Sequence, residues 1–216
     1  MFRNVFLLGR PGSGKSSVAR LIEMFASDRG WTTHYTNDYE LLQEMFLQEK
    51  AQHTPHEGRN FRSTGPKECN GFDVTNFTVL DTVLEKMKGE VEEIRARTLE
   101  EVNTLCLVEF ARANYHDAFQ LFGSDLLRGA HLLYLDVDIE SCIKHNHQRT
   151  DHFVSDAIMR TYYCEDDWFH VSLNIQQGDG IGANIWEITN TGSFQDFTQT
   201  IEEWIKTQLI RELVGI

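Results

Sequence analysis

Residues 5–25 read VFLLGRPGSGKSSVARLIEMF, and the reading of this stretch decides the fold. Val5 to Leu8 form an apolar run, Gly9 to Ser16 spell GRPGSGKS, and apolar residues then recur at Val18, Leu21, Ile22 and Phe25. That recurrence marks one face of a helix. A strand, a glycine-rich turn and a helix form the setting in which G-x-x-x-x-G-K-[ST] works as a phosphate-binding loop. The glycines let successive backbone N–H groups curl round an anion, and the helix N-terminus adds the positive end of its dipole. Gly9, Arg10, Pro11, Gly12, Ser13, Gly14, Lys15, Ser16 and Ser17 are therefore the expected triphosphate cradle. Lys15 is placed to reach the β- and γ-phosphates, and the Ser16 hydroxyl to ligate Mg²⁺. ATP and Mg²⁺ are the expected cofactors.

Working outward, Phe2–Leu8 reads as a strand buried on both faces, because its apolar run is nearly unbroken. Four more runs follow: 32–36, 104–110, 131–136 and 183–189. Each is β-branched, aromatic or apolar, and each is separated from the next by helical periodicity. Alternation of this kind predicts a three-layer α/β/α domain with a five-stranded parallel sheet. The whole chain, 1–216, is expected to be a single domain with two departures from the rhythm.

The first departure is an insert at 51–75, rich in glycine and polar residues, with Arg59, Arg62 and Lys67 clustered in it. It reads as a long loop, either the acceptor side of a site or a surface insertion with solvated charges. The second is a polar passage at 148–167 with few apolar anchors, expected to behave as a lid. Residues 170–182 give no clear pattern. Phe77, Leu80, Leu84, Met87, Val91 and Ile94 mark a long helix with one apolar stripe, too short a run of heptads to argue for a coiled coil.

A net charge of −13, from 33 acidic and 20 basic residues, argues against a long nucleic acid as partner, since that needs a basic stripe. No apolar stretch approaches a membrane span. The four cysteines are widely spaced without a C-x-x-C pair, so they read as reduced thiols of a cytoplasmic protein. A small anionic substrate in a local basic pocket stays compatible with this charge, and a homodimer is an admissible assembly.

The GRPGSGKS loop resembles that of the P-loop kinases that phosphorylate nucleotides and other small molecules, the adenylate-kinase-like members among them. The likeness continues through an acid after the second strand (Asp38), an acid ending the third (Glu109), an arginine-bearing segment after the fourth, and Asn190-Thr191-Gly192 after the fifth. It implies an ATP-dependent kinase acting on a nucleoside or nucleotide. Asp38 would stand beside the acceptor hydroxyl as base or as a ligand to water on Mg²⁺. At the same position Asn37 or Asp38 also suits a plain helix cap. Glu109 would serve the metal together with Ser16, although relatives carry aspartate there.

Arg149 and Arg160 would deliver charge to the transferring phosphoryl group as the lid closes. Related lids begin R-x-x-x-R, and His145 stands at the first place here. Asn190, Thr191 and Gly192 would contact the adenine or form a simple turn. Arg62 and Arg112 are candidates for the acceptor, with Arg112 equally suited to neutralise Glu109. His145 with His147, and Glu165-Asp166-Asp167, read as solvated surface groups. A GTPase is disfavoured by the lack of N-K-x-D. An ATPase, or a regulatory module that binds nucleotide without a phosphoryl acceptor, is the alternative to a kinase.

Overall fold

The computed structural model describes residues 1–52, 58–65, 71–99, 102–149, 153–178, 181–190 and 192–209. Among these, β1 (Phe2–Leu8), β2 (Thr32–Asn37), β5 (Thr104–Glu109), β6 (His131–Asp136) and β7 (Asn184–Thr189) form one sheet. The order is β2-β5-β1-β6-β7, and every pairing is parallel.

The apolar run of β1 is explained by its two faces. Val5 and Leu7 join one core with α1 (Lys15–Ser27) and α9 (Phe194–Trp204). Phe6 and Leu8 join the other, with α2 (Asp38–Ala51), α3 (Thr78–Arg97), α4 (Tyr115–Phe122) and α8 (Trp168–Gln176). Because successive strand residues point to opposite faces, a strand covered on both sides needs apolar residues at every position. β2 lies at the sheet edge, and four of its six residues are not buried. Helix starts are capped where the sequence offers a cap: Asn114, Asp138, Ser155 and Ser193 each accept a hydrogen bond from the backbone of their first turn. Such a cap contributes about 1 kcal/mol.

The register brings the strands' C-terminal ends to one level. Asn37 and Leu7 both lie opposite Glu109, and Leu8 lies opposite Tyr134. The chain runs from β1 out to β2, returns to β5 beside β1, then crosses β1 to β6. Ligands of open α/β sheets bind at such a reversal, beyond the strands' carboxyl ends.

Three expectations need correction. The insert is not a structureless loop: β3 (Phe61–Ser63) and β4 (Phe72–Val74) form an antiparallel ladder within it. Phe61 and Phe72 pack on Phe46 of α2, so burial of aromatic rings holds it down. Lys67 lies outside the described residues. The stretch 170–182, read as unpatterned, holds most of α8, whose buried Trp168, Val171 and Ile175 make a short apolar stripe that the glycines downstream obscured.

The described part of the lid-like passage, 153–167, does have apolar anchors, with Met159 and Tyr163 buried in a small core with Val137, Cys142 and Ile143. Short helices α5 (Ser124–Leu127), α6 (Ile139–His147) and α7 (Asp156–Thr161) complete the elements, and a π-helical turn, Ile205–Leu209, follows α9. No helix among the described residues is long and apolar enough to cross a membrane.

Candidate functional site

The loop after β1 needs backbone shapes that only glycine adopts cheaply. Gly12 has φ +87°, and a Cβ there would lie 2.4 Å from the Cys142 carbonyl oxygen of α6. Gly14, left-handed at φ 104°, is the residue from which α1 starts, without any side-chain cap. The first-turn N–H groups of α1 are thus left for an anion. Gly9 N–H donates to the buried Tyr115 hydroxyl at 2.8 Å, which fixes the start of the loop.

Lys15 is buried and its ammonium folds back on the loop, donating to the carbonyls of Gly9 (2.9 Å) and Arg10 (3.0 Å). Burial pushes its pKa below the ordinary value. Glu109 and Asp38 oppose that push, and Arg149 adds to it. A triphosphate would supply the negative charge that this buried ammonium lacks.

Glu109 ends β5, also buried, and both its oxygens are engaged. The Ser16 hydroxyl donates to Oε1 (3.0 Å) and the Tyr35 hydroxyl to Oε2 (2.6 Å). Ser16 and Glu109 therefore bring one hydroxyl and one carboxylate to a common point beside the P-loop. This all-oxygen pair fits Mg²⁺, which takes few protein ligands and fills its shell with water and phosphate oxygens. Among the described residues no group of three histidine, cysteine or acidic side chains could enclose a metal. Tyr35 was not singled out in the sequence. It is a half-exposed strand residue whose role appears only through its tertiary partner.

Asn37 and Asp38 divide the two roles that the sequence left open. The Asn37 side chain caps α2, accepting from Glu40 N–H at 2.8 Å. The Asp38 carboxylate instead reaches across to the Ala111 N–H at 2.8 Å and faces a cavity. Burial raises its pKa, and Lys15, the Ala111 N–H and Arg112 pull it down. Lys15, Ser16, Asp38, Glu109, Pro11 and Arg149 all line this cavity. Its remaining walls include Tyr39, Leu42, Phe72, Val74, Phe77 and Tyr163, mostly aromatic and aliphatic. Those walls went unseen in the sequence because they come from α2, β4, the start of α3 and the segment after α7.

Other expected site residues are placed elsewhere. Arg160 pairs with Glu140 of α6 on the surface and does not line the cavity. Arg62 is mostly exposed and pairs with the buried Asp73 (2.9 Å), which also accepts from Ser155 N–H and Oγ–H. Arg10 turns away from the loop's mouth. Its guanidinium donates to the carbonyls of Tyr163, Val137 and Cys164 and lies 3.5 Å from Asp166.

Arg112 makes no ion pair with Glu109. It is buried, lies 3.9 Å from Asp81 and close enough to Asp38 to help pull that carboxyl's pKa down, and no guanidinium nitrogen completes a hydrogen bond among the described residues. It does lie near enough to Tyr162 to oppose the upward push of burial on that phenol. Asn190 adjoins the loop, its side-chain amide donating to Ser13 O at 3.2 Å. Gly192 begins the turn into α9, and Thr191 lies outside the described residues.

Of the groups read as solvated, Glu165 and His147 are exposed, whereas Asp166, Asp167 and His145 are held by partners. Asp167 accepts from the Tyr115 and His116 N–H groups at the start of α4, and Asp166 accepts from the Tyr134 hydroxyl at 2.7 Å. His145 approaches Gly12 O at 3.1 Å, while His147 pairs with Asp156 at 2.7 Å. Sequence spacing correctly separates the two histidines but does not reveal that one buttresses the loop.

A parallel sheet in this order, with a glycine-rich loop entering α1 and an acid ending the neighbouring strand, defines the P-loop kinase-like fold. The chain shares this fold with solved structures along almost all of its length. A sugar kinase from Janibacter sp., solved unliganded, superposes with TM-score 0.56 at 12% identity, over 96% of each chain. Kti12 from Chaetomium thermophilum, in complex with ADP-AlF3, superposes with TM-score 0.53 at 10% identity, over 94% of this chain and 97% of that one. No protein-family model matches the chain, and no curated protein matches it by sequence. At these identities what is shared is the fold.

Proposed function

We propose that this chain is an ATP-dependent phosphotransferase acting on a hydroxyl of a small molecule, with nucleosides and nucleotides as the substrates to test first. The observation that carries the reading is Asp38. Its carboxylate is relieved of capping by Asn37, held by the Ala111 N–H, and set on the same cavity wall as Lys15, Ser16 and Glu109. A carboxylate so placed can take the proton of an acceptor hydroxyl.

In the proposed reaction the acceptor oxygen forms a bond to the γ-phosphorus as the bond to the β-phosphate oxygen breaks. The hydroxyl proton passes to Asp38 and ADP leaves. Lys15 and the N–H groups of the loop would hold the β- and γ-phosphates, and Arg149 would meet charge on the transferring oxygens. Ser16 and Glu109 would hold Mg²⁺, which would offset the charge of the phosphates there. Asn190 and Gly192, with Thr191, would border the nucleotide's base.

Support for a kinase over a nucleotide sensor comes from the cavity, because a protein that only binds triphosphate has no use for Asp38 as a further carboxylate on its wall. The reading is tested by ADP release from ATP and Mg²⁺ against a panel of nucleosides, nucleotides, sugars and small alcohols. Release that depends on an acceptor, with a phosphorylated product, supports it. Release at the same rate without any acceptor would identify an ATPase.

A further inference from the structure

The carboxylate of Glu109 is held from two sides, and only one of its holders belongs to the phosphate loop. Ser16, at the start of α1, donates to Oε1 at 3.0 Å. Tyr35, from β2, donates to Oε2 at 2.6 Å. The register explains the reach. Tyr35 lies opposite Leu107, two residues before Glu109 on the adjacent strand, so both side chains emerge on one face of the sheet. Tyr35 is 37% exposed on an edge strand, and its ring joins no core cluster among the described residues, so packing does not account for it. A glutamate has one more rotatable bond than an aspartate, and its carboxylate, left to Ser16 alone, could turn about that torsion. The Tyr35 bond removes this freedom, and its length is that of a charge-assisted bond.

We infer that Tyr35 is the positioning residue of the Mg²⁺ site and sets its preference for Mg²⁺ over Ca²⁺, by keeping Oε2 of Glu109 away from the metal. The inference rests on the Ser16–Glu109 metal assignment within the phosphotransferase reading, and adds to it a residue and a selectivity. Ser16 can donate its proton to Oε1 and still offer an oxygen lone pair to a cation. That leaves Oε1, directly or through a water, for the metal, while Oε2 stays on the phenol. Mg²⁺ suits this arrangement, because it demands near-octahedral geometry, keeps several waters and needs few protein ligands. Ca²⁺ takes roughly six to eight oxygens and often both oxygens of one carboxylate. Such bidentate contact at Glu109 would cost the bond to Tyr35, which counts against the larger ion.

The test uses the full chain and calorimetry of a non-hydrolysable ATP analogue with EDTA, with Mg²⁺ and with Ca²⁺, each metal in excess over the analogue. Tyr35→Phe removes the hydroxyl and keeps the ring, and the exposed position of that ring spares the core. The variant should bind the Mg²⁺ complex about 10–100-fold more weakly than the parent does, the usual effect of losing a group that orients a metal ligand. It should bind the Ca²⁺ complex as well as the parent or better, with Tm and the affinity in EDTA unchanged. Glu109→Asp supplies the second arm. Its carboxylate is one methylene shorter and falls short of the phenol, so adding Tyr35→Phe to it should change neither metal's affinity further. Equal weakening with both metals, no change with either, or a full Tyr35→Phe effect in the Glu109→Asp background overturns the inference. So does a parent chain that binds the analogue no more tightly with Mg²⁺ than with EDTA. None of these titrations contains an acceptor, so failure of phosphoryl transfer in the acceptor panel strikes the kinase reading alone.

Discussion

Asp38 and its neighbour Asn37 allow catalysis and helix capping to be separated by two single substitutions. In Asp38→Asn the amide oxygen can still accept from Ala111 N–H, now 2.8 Å from the carboxylate, so the wall of the cavity keeps its shape. The proton acceptor is lost, and turnover should fall by about 10²–10⁴ with ATP affinity little changed. Stability should hold or rise. The folded pKa of Asp38 is raised, chiefly by burial, so its protonated form is the one favoured by folding. That contribution is present below the unfolded value and is lost as pH rises through the folded one, which makes the ionised carboxyl a cost at neutral pH. The amide removes this cost.

Asn37→Ala does the opposite. It deletes the acceptor for Glu40 N–H and should cost about 1 kcal/mol, or about 2–4 °C in Tm for a domain of this size, with turnover nearly intact. Thermal unfolding and acceptor-dependent ADP release, measured on both variants, give four numbers. If Asp38→Asn turns over like the parent, or if both variants slow in proportion to lost stability, the division of roles between these two residues is wrong.

The remaining predictions concern the loop and the arginines. Lys15→Met should abolish ATP binding while leaving Tm unchanged or higher, because it removes a buried ammonium; unaltered affinity by calorimetry would refute the cradle. Since burial lowers the Lys15 pKa, ATP affinity in the parent should weaken with rising pH before the ordinary value of 10.5 is reached, and direct titration of Kd against pH reads this. Gly12→Ala should lower stability by at least ~1–2 kcal/mol and abolish ATP binding, because its Cβ would collide with the Cys142 carbonyl at a left-handed φ. Arg149→Lys should slow turnover about tenfold or more with modest change in ATP affinity, since it loses the planar fork. Arg160→Ala, which breaks a surface pair with Glu140, should leave kinetics unchanged. Equal kinetic losses in the two arginine variants would mean that the surface position of Arg160 is not the one it uses.

The sequence alone determined the five parallel strands, most of the helices and the phosphate loop. These follow from local rules: an apolar run in β1 that serves two cores, glycines where the loop must turn, and Asn114, Asp138, Ser155 and Ser193 as caps within one turn of the groups they satisfy. Tertiary structure decided the rest, because the other site features are pairings between residues far apart in the chain. Only packing assigns the cap to Asn37 and frees Asp38 for Ala111, turns Arg160 to Glu140 and Arg62 to Asp73, and sets Tyr35 on Glu109. The aromatic wall from Tyr39, Phe72 and Phe77 likewise has no period to read, since three separate elements each contribute one ring and only the closed fold brings them together.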